Sequence, residues 1–345
     1  MKIAVVGVGG VGGYFGGRLA AVGHDVTFIA RGEHLEAIRT DGLAVESVLG
    51  DFVVFPAKAT DDPATVGPVD LVIFAVKTWQ LEAAAEQARP LFSESCSHGG
   101  DPSSGTVRSS GTIRSPRGGD APSSASSEGT VALPLLNGVE NADLLAERFG
   151  RERVLGGLCR ILSFIEAPGR IRHVGLDPSV VLGELDNRRT DRVERIHRTL
   201  VDAGIHTEIA PDIHVAIWRK FLLIATWSGI GAVTRVPIGR WREVDGVRAM
   251  AEEGLREVVA VARARGVDLS AEQVRTVMEG FDAAPADGTA SMQRDVMAGR
   301  PSELEAQSGA VVRLGSEAGV PTPVHAYLYH SLLPQERLAR EESET

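Results

Sequence analysis

Residues 2–18 read Lys-Ile-Ala-Val-Val-Gly-Val-Gly-Gly-Val-Gly-Gly-Tyr-Phe-Gly-Gly-Arg, and this stretch constrains the fold more than any other. A short apolar run, a turn with glycines at 7, 9 and 12, and a helix-like continuation is the order of a dinucleotide-binding βαβ unit. Gly7 permits the tight turn, Gly9 lets the backbone approach a pyrophosphate, and Gly12 lets the helix pack closely on the strand. The helix N-terminus then faces the phosphates. Val8, Gly10 and Val11 complete the loop and join the three glycines as the candidate cofactor-binding set.

The chain that follows keeps a strand–helix rhythm. Asp25 to Ala30 is β-branched and aromatic and predicts a strand parallel to the first. An acidic residue at its end would bind a ribose 2′-hydroxyl; Arg31-Gly32 stands there instead, and a guanidinium suits a 2′-phosphate, which favours NADP(H) over NAD(H). Leu43 to Phe55 alternates like a pair of hairpin strands, and Asp70 to Val76 is a buried-type strand ending at Lys77-Thr78-Trp79-Gln80. Ligands of doubly wound sheets sit beyond the carboxyl ends of such strands, which places Lys77 and Gln80 at the rim of a cofactor crevice. A helix from Gln80 to Leu91 follows. Gly129 to Leu136 is another strand, and Asn137 after it offers a donor and an acceptor where cofactor and substrate would meet.

Strands near 154–162, 170–173, 179–182 and 207–210, with a helix over 191–203, complete a first domain spanning 1–210. Pro211-Asp212 reads as a turn and helix N-cap. From Ile213 the βαβ rhythm ends and helices are predicted over 213–228, 240–265, 270–283 and 301–319. The expected architecture is an α/β, Rossmann-type parallel-sheet domain followed by an all-helical domain, 211–335, with the substrate site between them.

Composition narrows the function classes. A net charge of −10 argues against a nucleic-acid or anionic-membrane surface, and 43% hydrophobic residues allow a core in each domain. Two cysteines, Cys96 and Cys159, are too few for a disulfide framework or a thiolate metal site, and the scattered histidines suggest neither a metal nor a histidine base. The apolar start is broken by glycine too early for a signal peptide and no stretch is long enough for a membrane span, so a cytoplasmic enzyme is expected. Residues 93–128 differ in kind: 21 of 36 are Ser, Gly or Pro, and Ser103–Arg108 is nearly repeated in Ser109–Arg114. Such a segment predicts a disordered surface insertion grown by duplication.

The ordered set of Gly7-x-Gly9-Gly10-Val11-Gly12, Arg31, Val76-Lys77-Thr78-Trp79-Gln80, Leu136-Asn137-Gly138-Val139, Trp218-Arg219-Lys220, Ser291-Met292-Gln293-Arg294-Asp295, Gly299-Arg300-x-x-Glu303 and Gly319-Val320-Pro321-Thr322-Pro323 resembles the ketopantoate reductases (2-dehydropantoate 2-reductases). The resemblance spans nearly the whole chain outside 93–128 and the last ten or so residues. It implies NADPH-dependent reduction of a 2-oxo acid to a 2-hydroxy acid, the step giving pantoate for pantothenate and coenzyme A, in a protein compatible with a homodimer. It further implies Lys220 as the catalytic lysine, Glu303 as its carboxylate partner, Asn137 at the nicotinamide–substrate junction and Ser291 as a substrate-carboxylate contact. Gly7, Gly9, Gly12, Arg31, Lys77 and Gln80 form the implied cofactor set together with Asn137 and Glu303, and Ser228 joins Ser291 and Asn137 as a substrate-binding residue.

The chemistry fits those residue types. Hydride delivery to a ketone leaves charge on oxygen, so the site needs a cation or proton donor there, and a desolvated lysine supplies both. One departure concerns the substrate: the family's lysine helix usually carries asparagines four and eight residues after the lysine, whereas this chain has Ile224 and Ser228. Losing a polar contact shifts preference among analogues by about 1–3 kcal/mol per unmatched group. Reduction of 2-dehydropantoate, reduction of another small 2-oxo acid, and a non-catalytic NADP(H) sensor using the 93–128 segment to bind a partner remain the alternatives.

Overall fold

The computed structural model describes residues 1–92 and 129–343; the Ser/Gly/Pro-rich stretch 93–128, with Cys96, lies outside the described residues. The elements of the first half are β1 (Lys2–Val6), α1 (Gly10–Ala21), β2 (Asp25–Ile29), α2 (Gly32–Asp41), β3 (Leu43–Ser47), β4 (Phe52–Val54), β5 (Lys58–Thr60), β6 (Leu71–Phe74), α3 (Leu81–Gln87), β7 (Val131–Pro134), α4 (Asn141–Phe149), β8 (Leu155–Arg160), β9 (Ser163–Ala167), β10 (Arg170–His173), β11 (Ser179–Glu184), α5 (Asp191–Asp202) and β12 (His206–Ile209). The second half is helical: α6 (Ile213–Thr234), α7 (Ile238–Trp241), α8 (Asp245–Ala264), α9 (Glu272–Ala283), α10 (Ser291–Met297), a π-helical turn at Glu305–Gly309, α11 (Ala310–Ala318) and α12 (Pro323–Ser343).

Five strands make a wholly parallel sheet in the order β5-β2-β1-β6-β7. Its central strands are apolar along their length, as a sheet covered on both faces requires. A bridge between Ala132 and Val154 links β7 to the start of β8, which opens a three-stranded sheet, β12-β11-β8. A third sheet, β4-β3-β10-β9, combines the expected 43–55 hairpin with a second hairpin through the parallel pair β3–β10.

That third sheet explains the glycine density of α1. The helix lies between the parallel sheet and the β4-β3-β10-β9 sheet, and its glycines form a face toward each. A methyl on Gly12 would overlap the Gly7 carbonyl oxygen, and one on Gly16 would come within 2.8 Å of Val5 and Phe28. On the other side a methyl on Gly10 would overlap the backbone of Ser163, one on Gly13 would meet Ile171 at 2.6 Å, and one on Gly17 would meet Phe52 at 3.0 Å. Close approach on both sides leaves no room for side chains at these positions.

Several elements differ from expectation. The predicted 80–91 helix is a 3₁₀ turn, the short α3 and another 3₁₀ turn, because Pro90 cannot continue the ladder. The predicted 240–265 helix breaks between Trp241 and Asp245. The predicted 301–319 helix begins only with the π turn at Glu305, and the helical half continues past 335 through α12 to Ser343. Helices α2, α4, α10 and α12 and strands β5 and β9 have no counterpart among the expected elements.

The two-sided packing of α1 has a measurable consequence. Gly10→Ala should lower stability by about 1–3 kcal/mol through overpacking, whereas Gly9→Ala, whose added methyl meets nothing within 4 Å, should change it by no more than about 1 kcal/mol. Urea unfolding followed by circular dichroism compares them; equal midpoints would mean that the second sheet does not press on residue 10.

Candidate active site

Parallel pairing of β1, β6 and β7 brings three strand ends to one edge. The hydrogen bonds Ala75 N–H to Val6 O (2.9 Å) and Leu135 N–H to Phe74 O (2.9 Å) carry the register to the end, so Gly7, Lys77-Thr78 and Asn137 share that edge. Gly7 has φ +92°, where a side chain would be strained, and a methyl there would also strike Val76 at 2.6 Å. Gly9 faces open space. The first helical hydrogen bond of α1 runs from Gly13 N–H to Gly9 O (2.8 Å), so the N–H groups of Gly10, Val11 and Gly12 precede the intrahelical ladder. An open glycine beside an unladdered helix start fits a phosphate-bearing dinucleotide. Arg31 is exposed just beyond β2 at the start of α2, and its guanidinium donates to the side chain of Gln87 on α3.

The helical half brings Lys220 to the same edge through α6. Asp212 caps this helix, its carboxylate accepting from Val215 N–H (3.1 Å), as the sequence predicts. Ile213, in the first turn, occupies a notch between Gly156 and Gly183, which are register partners on β8 and β11. Two turns on, Lys220 lies close to Cys159 and Arg160 at the end of β8. Burial pushes the Lys220 ammonium below the ordinary lysine value; Cys159 and Glu303 oppose the shift and Arg160 adds to it. Burial likewise pushes the Cys159 thiol up. Its S–H donates to Leu135 O (3.3 Å).

Glu303 is 5% exposed and stands just before the π turn rather than inside a helix. Thr78 Oγ1 donates to its Oε1 (2.8 Å), Asn137 Nδ2 to its Oε2 (2.8 Å), and Gln307 Nε2 more weakly to Oε2 (3.4 Å). Asn141 Nδ2 in turn donates to Asn137 O (2.8 Å). Among the described residues no hydrogen bond or ion pair joins Lys220 to Glu303. The carboxylate acts on the ammonium through its field, while its lone pairs are engaged by Thr78 and Asn137 from the other half of the molecule.

A second polar link crosses the same seam. Lys77 Nζ pairs with Asp295 Oδ2 on α10 (2.7 Å), and Arg300 donates to Asp295 Oδ1 (3.0 Å). Gln80 Oε1 accepts from Lys77 N–H (3.3 Å), fixing the turn that launches the lysine. Ser291 is exposed in the first turn of α10, and Ser228 is buried on α6, two turns beyond Lys220. Ile224, between them on the same face, is partly buried.

Sequence reasoning gives no role to Thr78, Asn141, Asp295 or Gln307. Thr78 and Asp295 lie inside the family's motifs, and a hydroxyl beside Lys77 at a strand end is a usable signal; Gln307 carries none. A cavity of about 940 Å³ borders the back of this network, with Thr78, Trp79, Glu303, Glu336 and Arg340 in its wall. Neither Lys220 nor the glycine turn lines it.

This geometry has known counterparts. The family description "Ketopantoate reductase PanE/ApbA" matches residues 3–97 and 122–187, and "Ketopantoate reductase PanE/ApbA C terminal" matches 212–336. The chain is 31% identical to a 2-dehydropantoate 2-reductase of Mesorhizobium japonicum over 94% of each protein, and 28% identical to an uncharacterized oxidoreductase, YkpB, of Bacillus subtilis over 96% of this chain and 98% of that one. The crystal structure of 2-dehydropantoate 2-reductase from Geobacter metallireducens superposes with a TM-score of 0.81 at 30% identity, covering 97% of this chain and 99% of the other. With both halves matched and the same architecture in a solved relative, the chain belongs to the ketopantoate reductase family, a family of nicotinamide-dependent oxidoreductases.

Proposed function

We propose that the protein reduces a small 2-oxo acid to the 2-hydroxy acid at the expense of NADPH, with 2-dehydropantoate as substrate and pantoate as product. The observation that carries this reading is the placement of a desolvated lysine, Lys220, in the field of Glu303, whose carboxylate is held by Asn137 from the sheet edge that also carries the glycine turn. NADPH, when bound, supplies the hydride to the ketone carbon. Gly7 to Gly12 and the start of α1 hold its pyrophosphate, and Arg31 meets the 2′-phosphate. Lys77 and Gln80 border the cofactor on the seam, and Ser291 and Ser228 border the substrate.

Lys220 protonates the developing alkoxide. A lowered pKa makes that transfer easier, and the Glu303 field opposes the lowering. Glu303 and Asn137 position the reacting end of the substrate, since they engage each other where the helical half meets the strand edge. On this reading the enzyme serves pantothenate and coenzyme A biosynthesis in the cytoplasm.

A second reading is favoured by Ile224. An apolar side chain on the Lys220 face of α6 suits a 2-oxo acid with a hydrocarbon substituent better than one with a hydroxyl. NADPH oxidation measured with 2-dehydropantoate against a panel of branched and aromatic 2-oxo acids separates the two. Detectable steady-state turnover of any of them removes the sensor alternative, and absence of turnover with all of them removes the reductase reading.

Two outcomes follow for single residues. Lys220→Ala should lose about 10²–10⁴-fold in kcat while still binding NADPH; an unchanged kcat would show that the proton comes from elsewhere. In the intact enzyme kcat should fall as pH rises through the lowered Lys220 pKa, because the acid form is lost, so the alkaline limb should lie below the ordinary lysine value of 10.5. Arg31→Asp should shift cofactor preference from NADPH toward NADH in competition assays; no shift would place the 2′-phosphate contact on another residue.

A further inference from the structure

The residue before Glu303 is gripped by the last described helix. Ser302 is fully buried, and all its polar atoms are engaged from α12. Its N–H donates to both Glu336 carboxylate oxygens (3.0 and 3.1 Å), its hydroxyl donates to Glu336 Oε2 (2.5 Å), and its carbonyl accepts from Arg340 Nη2 (3.2 Å). Glu336 and Arg340 are one turn apart and pair at 2.7 Å. The Arg340 guanidinium also covers the Trp79 ring at 5.2 Å. Trp79 follows Thr78, whose hydroxyl holds Glu303.

One ion pair on α12 therefore touches the neighbour of Glu303 on one side of the seam and the neighbour of its hydrogen-bond donor on the other. Packing alone does not account for this pair. Glu336 is 5% exposed, and a buried ion pair is commonly no more stabilising than apolar side chains of similar volume. What the pair supplies is direction: four bonds to Ser302 set where the Glu303 carboxylate leaves the backbone.

We infer that Glu336 and Arg340 are positioning residues that hold Glu303 against Thr78 and Asn137 and so fix its distance from Lys220. The kinetic part of the test rests on the reductase reading above; the titration part does not. The groups facing Lys220 are Glu303, Cys159 and Arg160, and of these only Glu303 is adjacent to the residue that α12 grips. Drawing Glu303 away removes one of the two influences that raise the Lys220 pKa, leaving that of Cys159, so Lys220 should lose its proton at lower pH.

The chain has four lysines, Lys2, Lys58, Lys77 and Lys220, which makes lysine titration by NMR of the ¹³C-dimethylated protein tractable, with Lys220→Arg for assignment. Glu336→Leu should lower kcat about tenfold or more with the NADPH Kd within about twofold, and should move both the alkaline limb of kcat and the Lys220 titration down by about half a pH unit or more. Glu336→Gln, which keeps an acceptor for Ser302, should recover kcat to within about threefold of the parent. A folded Glu336→Leu protein with unchanged kcat overturns the inference, and so does lost kcat with an unmoved Lys220 titration, which marks general structural damage. Should circular dichroism show Glu336→Leu unfolded, Arg340→Met takes its place: it removes the ion pair, the Ser302 carbonyl bond and the Trp79 contact, and the same shifts in kcat and in the Lys220 titration are expected of it. If the parent protein reduces no 2-oxo acid, the reductase reading falls while the titration still decides this one.

Discussion

Backbone-to-backbone approach around α1 is the constraint on which the rest of the first half depends. A helix pressed between two sheets must lose its side chains on two faces, and the glycines of 10–17 remove them. The close fit holds the helix against β1, and its N-terminus follows β1 at the same edge where β6 and β7 release their polar residues. The β3–β4 and β9–β10 hairpins are part of this device rather than decoration: Ile171, Phe52 and the Ser163 backbone are what the second glycine face meets. A phosphate-ready helix start and a polar strand edge thus arise from one packing arrangement.

The second half adds charge to that edge under controlled desolvation. α6 begins with Ile213 locked between two paired glycines of the first half and ends deep among helices, so the lysine it carries belongs mechanically to both. Among the described residues no ion pair joins a carboxylate to the Lys220 ammonium, which burial holds below its ordinary pKa while Cys159 and the field of Glu303 oppose the shift. A contact ion pair would have kept the proton on lysine more firmly. The arrangement keeps Glu303 close enough to matter and leaves Lys220 unencumbered.

How much of this is legible in the sequence depends on whether the signal is local. The glycine turn, the strands that end in Lys77 and Asn137, the Asp212 cap and the change from βαβ units to helices all rest on short-range chemistry, and the structure has them where the residues indicate. Helix continuity is less legible: Pro90 cuts one helix, and a π turn displaces the start of another so that Glu303 lies ahead of it rather than in its first turn. The partners of Glu303 are not legible, because Thr78 and Asn137 reach it across 225 and 166 positions of chain. Its influence on Lys220 is electrostatic, with no hydrogen bond or ion pair between the two among the described residues. Helix α12 offers no motif beyond its opening residues, since Glu336 and Arg340 resemble the solvated charges of any helix end until Ser302 is seen beneath them.

The Ser302 clamp also has a bearing on how the molecule is made. Domains fold largely in the order in which they leave the ribosome, and the parallel sheet with its glycine turn is complete before α6 is synthesised. The carboxylate that grips Ser302 lies 34 residues beyond it. During synthesis the parallel sheet and its glycine turn therefore precede the residues that fix Ser302. Until the last turns of α12 dock, Ser302 lacks the partners that fix it.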